Sequence, residues 1–379
     1  MSPTRSLKPS VRTMVGTAVA KQFTPVAGCA HAAEAEIIMT NATFRRMSFS
    51  NGRIQWRQTG LDPYFSKFSM ATLTTSIADE ILSLKRERNA VILAHHYQES
   101  EIQELADVIG DSLELARKAK ELDCEIIAFC GVWFMAETAK ALNPARTVIV
   151  PDQDAGCSLV DSCPVEMVRA FKRKYPDHAV VSYINTSIEV KAESDIICTS
   201  SNAVKIVNSI PADKPILFLP DINLGNYVKK ETGRTNMRIW QGACIVHTTF
   251  AARKVTEARM AHPEAMVVAH PECPGDVLLQ AEFIGSTSAL IKYCIESERN
   301  SFIVMTESGV QHSLRKFAPH KQFYFVTNEN CNCSECPYMK KNSLEKLRDC
   351  LASVSPRVEL SPELMERARL PIERMLAVK

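Results

Sequence analysis

An internal repeat of about 87 residues constrains this chain more than any other feature. A short apolar run ending in polar residues occurs three times, at residues 90–97, 179–185 and 265–272. His95, Tyr183 and His270 hold matching places in these runs, 88 and 87 residues apart. Continuous apolar runs of this length, bounded by polar residues, predict buried strands. A period of this size corresponds to one small α/β unit.

Each run is followed at near-constant distance by a segment that opens a helix, at residues 109–113, 198–202 and 284–288. Ser112 lies 17 residues past His95, Ser200 lies 17 past Tyr183, and Ser286 lies 16 past His270. Ser and Thr at such places predict N-caps, because the hydroxyl accepts from unpaired amides of the first turn. The same amides make helix starts into anion sites, so capping and ligand binding both stand as readings of these serines. A third strand is expected at 126–131, 216–221 and 302–307, and a fourth at 147–150, 237–240 and 322–326. Strands alternating with helical patterns predict an α/β chain with a parallel sheet in each unit. Ligands gather at the carboxyl ends of such strands, where the His, Tyr, Glu and Ser residues stand. The expected domains are 71–156, 157–243 and 244–379, the last carrying a C-terminal cysteine segment and helix.

Composition narrows the function. A chain of 379 residues with 46% hydrophobic content buries a large core. Its 45 basic and 43 acidic residues balance to +2, which argues against a nucleic-acid partner. No run approaches the ~18 consecutive apolar residues of a spanning helix, so no membrane partner is expected. The first 60 residues are rich in Arg, Ser, Thr and Ala, with Glu34 and Glu36 as their only acids. That composition resembles a transit peptide; the alternative is an upstream start before a true beginning near Met70. Residues 1–70 are expected to be a disordered or non-native extension without a part in the chemistry.

Thirteen cysteines, an odd total in a long chain, do not read as a disulfide framework; a reducing compartment such as the cytoplasm fits better. A cysteine follows the fourth strand of every unit: Cys157, Cys244, and the group Cys331, Cys333 and Cys336. Cys157 and Cys244 are 87 residues apart, the repeat period again. Equivalent positions around a pseudo-threefold axis meet at that axis, where three thiolates can hold a cubane cluster with one iron left open. An open iron acts as a Lewis acid. Taken singly, each cysteine also reads as an inert buried thiol. The C-terminal group is one ligand short of a closed zinc site, and Cys333 with Cys336 also reads as a redox pair. Two further readings stay open at this level: a cluster-dependent hydro-lyase and a redox sensor.

Many segments together resemble the quinolinate synthase family. They are 94–98, 110–112, 134–140, 183–187, 199–201, 240–247, 270–273, 285–288 and 336–339, so the resemblance runs from about residue 75 to the C-terminus. It implies three pseudo-threefold-related αβα-sandwich domains in a triangle around a central [4Fe–4S] cluster. The implied reaction condenses iminoaspartate with dihydroxyacetone phosphate to quinolinate, in de novo NAD synthesis, with loss of phosphate and two waters. L-aspartate oxidase or aspartate dehydrogenase is the implied source of iminoaspartate. By the resemblance, Cys157, Cys244 and Cys336 ligate the cluster. His95, Ser112, His270, Ser286 and Thr287 hold substrate carboxylates or phosphate, with Tyr183, Asn185 and Ser200 beside them. Glu272 is the acid/base residue, with Tyr97 and His247 as catalytic partners. One departure concerns the last cysteines: the family spaces them Cys-x2-Cys-x2-Cys, whereas a single residue separates Cys331 from Cys333 here.

Overall fold

The computed structural model describes residues 76–327 and 334–378 in full, and residues 35–40, 43–50 and 53–58 through the backbone of three strands. Cys331 and Cys333 lie outside the described residues, as does most of the N-terminal segment. The early strands β1 (Ala35–Thr40), β2 (Thr43–Ser50) and β3 (Arg53–Gln58) pair antiparallel in that order. They fall in a unit of their own, residues 1–74, and everything below concerns the second unit, residues 75–379.

That unit contains three four-stranded parallel sheets of one topology. The first holds β4 (Ala90–His95), β5 (Val108–Gly110), β6 (Ile126–Cys130) and β7 (Thr147–Ile149), in the order β5-β4-β6-β7. The second holds β8 (Ala179–Tyr183), β9 (Ile196–Cys198), β10 (Ile216–Leu219) and β11 (Met237–Ile239), in the order β9-β8-β10-β11. The third holds β12 (Met266–Ala269), β13 (Phe283–Ile284), β14 (Ser301–Met305) and β15 (Gln322–Phe325), in the order β13-β12-β14-β15. Strands β6, β8, β10 and β14 are buried along their whole length, as expected where helices cover both faces of a sheet.

The repeat extends to buried chemistry. In each unit a carboxylate just before the second strand accepts from a backbone N–H near the start of the first. Asp107 takes Ile92 N at 2.8 Å, Asp195 takes Val180 N at 2.7 Å and Glu282 takes Val267 N at 2.7 Å, each across 15 residues. An N–H that the sheet does not pair is thereby satisfied.

Helix starts depart from the sequence reading at two of three places. Ser112 is the first residue of the helix Ser112–Glu121, and its cap is Asp111, which accepts from Leu113 N and Glu114 N in a capping box with Glu114. Asn202, not Ser200, precedes the helix Ala203–Ser209. Ser286 does cap Thr287–Glu296 by accepting from Ala289 N. At the first start the Asp111 carboxylate takes the amides and leaves the Ser112 hydroxyl free, and at the second the helix begins beyond Ser200, whose hydroxyl meets His270 instead.

The chain ends by tying units together. Helix Leu344–Ser353 packs Leu347, Cys350 and Leu351 with Ile81, Ile92 and Ala128 of the first unit. Helix Pro362–Ala377 lies against Ile188–Ala192 and β9 of the second unit and against Trp133–Leu142 of the first.

Candidate active site

The carboxyl ends of the three sheets surround one cavity of about 660 Å³, counting its mouth. Residues from every unit line it: His95, Tyr97, Ser112 and Cys157; Tyr183, Asn185, Ser200 and Cys244; His247, His270, Glu272, Thr287 and Cys336. Among the described residues given catalytic, substrate-binding or ligand roles from sequence, Ser286 alone is not in the lining. Its hydroxyl instead donates to Asp111 Oδ2 at 3.1 Å, and Ser201 donates to the same oxygen at 3.1 Å. Asp111 thus joins one helix start from each unit.

Ten cysteines are described, all of them free thiols. Seven are buried, including Cys130 and Cys163; the three that are only half-buried are Cys157, Cys244 and Cys336. Each stands at the start of a turn that aims backbone N–H groups at its sulfur. Leu159 and Val160 serve Cys157, His247 serves Cys244, and Tyr338 and Met339 serve Cys336. Burial pushes Cys157 up to about 12 and Cys336 up to about 11, and it raises Cys244 as well, with those N–H groups working in the opposite direction. Such thiols are protonated at neutral pH and become thiolates when a metal displaces the proton.

A hydrogen-bonded network of imidazole, hydroxyl and carboxyl groups faces the sulfurs. Tyr97 N donates to His95 Nδ1 at 3.2 Å, and Glu272 N donates to His270 Nδ1 at 3.3 Å, the same motif in two units. With Nδ1 accepting, the proton of each neutral ring sits on Nε2. Burial lowers both rings, His95 well below its usual range and His270 to about 3, so both act as neutral donors. His270 Nε2 meets Ser200 Oγ at 3.2 Å, which leaves the serine O–H free to donate. Glu272 is held differently. Burial works against its charge, but charge on His247, whose Nδ1 lies 2.7 Å from Oε2, together with His270 and the Tyr183 hydroxyl, brings it down to about 2. The other oxygen, Oε1, is buried without a protein partner. From His247 the network continues through Nε2 to Thr306 Oγ1 at 3.0 Å, to the Tyr97 hydroxyl at 3.0 Å and to Thr287 Oγ1 at 2.7 Å. An unbroken path of exchangeable protons therefore links Tyr97 to Glu272. Cys244, His247 and Glu272 also bring their ligand atoms within 4.8 Å of one another, a set able to hold a metal ion.

Comparison with known proteins bears on this site. The family described as "Quinolinate synthetase A protein" matches residues 79–377. The chain belongs to the quinolinate synthase family. It is 55% identical to the quinolinate synthase of Microcystis aeruginosa over 307 residues, 81% of this chain and 96% of that protein. It is 54% identical to that of Nostoc punctiforme over 297 residues, 78% and 91% of the two chains. Against that of Synechocystis sp. it is 53% identical over 308 residues, 81% and 96% of the two chains. The matched region contains all three sheets and every residue of the cavity.

In this quinolinate synthase family enzyme, three residues at or behind the cavity wall escaped the sequence reading. Thr306 is fully buried and links Tyr97 to His247. Asp111 bridges three helix starts, and Glu307, also in the lining, accepts from Cys336 N at 3.0 Å. Their signal was positional: Thr306 and Glu307 directly follow β14, and Asp111 directly precedes Ser112.

Proposed function

We propose that this chain condenses iminoaspartate with dihydroxyacetone phosphate to quinolinate, releasing phosphate and two waters, around a [4Fe–4S] cluster held by Cys157, Cys244 and Cys336. The observation that carries this reading is that the three described cysteines that are only half-buried follow the fourth strand of each repeat and line one cavity with the Glu272–His247 pair. The donor set fits the cluster: three soft thiols, each with N–H groups aimed at its sulfur, supply iron–sulfur ligation without a fourth protein ligand. When bound, the cluster supplies one iron open to substrate, a Lewis acid toward a carboxylate or a departing hydroxyl.

The side chains supply the rest. Both substrates are anionic, and neutral donors suit them: His95 through Nε2–H, with the hydroxyls of Ser112, Ser200 and Thr287. His270 orients Ser200, Ser286 holds Asp111 beside Ser112, and Asn185 offers a buried Oδ1 with no protein partner. Glu272, ionised and with Oε1 unpaired, is the base for the proton removals of enolisation and dehydration. Tyr183 lies beside it. His247 and Tyr97, joined by Thr306, return protons to the leaving oxygens. The domains are 71–156, 157–243 and 244–379, preceded by an extension of 70 residues that takes no part in this chemistry. The chain works in the reducing cytoplasm, and an aspartate-oxidising enzyme, L-aspartate oxidase or aspartate dehydrogenase, supplies its iminoaspartate.

The test is anaerobic reconstitution with iron and sulfide, followed by incubation with both substrates. Quinolinate and one phosphate per turnover are expected. A fully loaded protein that forms no quinolinate contradicts the proposal.

A further inference from the structure

The sheet registers make His95, Tyr183 and His270 equivalent, since Ala94 pairs with Cys130, Ser182 with Leu219 and Ala269 with Met305. The loop after each carries a second cavity residue two places further on: Tyr97, Asn185 and Glu272. Three places further on come Gln98, Thr186 and Cys273. Eight places further on, in the short helices that follow, come Gln103, Lys191 and Leu278.

In two units the residue at the eighth place ties down the carbonyl at the third. Gln103 Nε2 donates to Gln98 O at 2.9 Å, and Lys191 Nζ donates to Thr186 O. Both side chains are buried, where an amide or an amine is costly unless it is bonded. Each tie also reaches a neighbouring unit. Gln103 Nε2 lies 3.1 Å from His96 O and 3.2 Å from Gly309 O of the third unit. Gly309 admits this approach because a Cβ there would stand 2.7 Å from Tyr97 Cα. Near Lys191, Glu137 of the first unit accepts from Ile188 N at 3.1 Å. Burial lowers Lys191 and raises Glu137, each opposed by the other's charge. The hydrogen bonds hold wherever the proton sits, because an amine donates as an ammonium does and a protonated carboxyl still accepts. In the third unit Leu278 has nothing to donate, and Pro271, with its fixed φ, stiffens the loop instead.

Resting on the reading of Tyr97 and Asn185 as residues that face the substrates, we propose that Gln103 and Lys191 are positioning residues that clamp the loops carrying them. Neither Gln103 nor Lys191 lines the cavity. Tyr97 stands between His96 and Gln98, whose carbonyls Gln103 holds. Asn185 directly precedes Thr186, and its Oδ1 is buried without a protein partner. The backbone therefore sets where that oxygen meets a ligand, and Lys191 sets the backbone.

Two readouts on the reconstituted holoprotein test this: hydrogen exchange of residues 95–99 and 183–188 without ligand, and calorimetric titration with quinolinate. The variants are Gln103→Leu, matching the third unit, and Glu137→Gln/Lys191→Met, which leaves no unpaired charge buried. Each is expected to quicken exchange in its own loop and to weaken quinolinate binding about tenfold or more. Lys321 also holds carbonyls, those of Cys294, Ile295 and Ser297, away from the cavity; Lys321→Met is expected to leave both readouts in place. Asn185→Ala is expected to weaken quinolinate binding too, and to add little when combined with Glu137→Gln/Lys191→Met, because the clamp acts through Asn185. A combined loss equal to the product of the two overturns the proposal. Wild-type exchange and affinity in both loaded clamp variants overturn it as well. Should the Lys191 variant fail to fold, Gln103→Leu combined with Tyr97→Phe decides in the same way. A wild-type holoprotein that binds no quinolinate contradicts the proposed function instead, and the exchange rates of the two loops then decide on the clamps.

Discussion

Glu272 keeps a charge in a fully enclosed place because its neighbours outweigh its burial. Burial raises the carboxyl, and charge on His247 at 2.7 Å, with help from His270 and Tyr183, brings it to about 2. A base so lowered stays ionised above that value, so kcat/KM should show no acid limb from Glu272 at ordinary assay pH. His247→Gln removes the largest lowering influence and leaves burial to raise the carboxyl, so an acid limb should appear or move to higher pH. A pH–rate profile of the variant checks this; a limb that stays where the wild type has it removes the His247–Glu272 pairing from the mechanism. At this scale the chemistry-bearing residues were legible because each follows a predicted strand. Their protonation states were not, since they depend on contacts such as Tyr97 N to His95 Nδ1 that only the folded backbone creates. Thr306 went unnoticed because a threonine at the end of an apolar run carries no chemical signature of its own.

Asp111 shows how one residue organises several elements. Its Oδ1 caps the helix Ser112–Glu121, and Oδ2 collects hydroxyls from Ser201 and Ser286 in the other two units. Asp111→Ala removes a cap and leaves two hydroxyls without their acceptor, so it should cost about 2 kcal/mol or more. Ser201→Ala and Ser286→Ala should each cost less. Urea denaturation of the cluster-free proteins measures the difference, and a wild-type midpoint for Asp111→Ala would contradict the bridging role. The first and third strands of each unit were legible as apolar runs. The second strands, β5, β9 and β13, are two or three residues long and carry no usable periodicity; pairing with the first strand creates them. The serines read as caps illustrate the same limit. Before Ser112 an Asp competes for the same amides, and beyond Ser200 the helix begins two residues later than expected, so only local geometry decides.

The molecule as a whole follows from the repeat. Three units with one strand order bring the loops that follow their first, second and fourth strands to one cavity, so residues some 90 apart in sequence become neighbours. The period exposed that much, since it placed Cys157 and Cys244 at equivalent points before any contact was known. It was silent about the C-terminal helices, which lie beyond the last repeat and pack on the first and second units. Their amphipathic faces do not say which sheet they cover. The central claim is that one cysteine from each unit makes the cluster site, and it is tested by counting iron and sulfide bound after anaerobic reconstitution of single variants. Cys157→Ala, Cys244→Ala and Cys336→Ala should each lose the cluster and its visible absorbance, while Cys130→Ala and Cys163→Ala, altering buried thiols outside the cavity, should bind as the wild type does. A full complement of iron and sulfide in any of the first three would contradict the account.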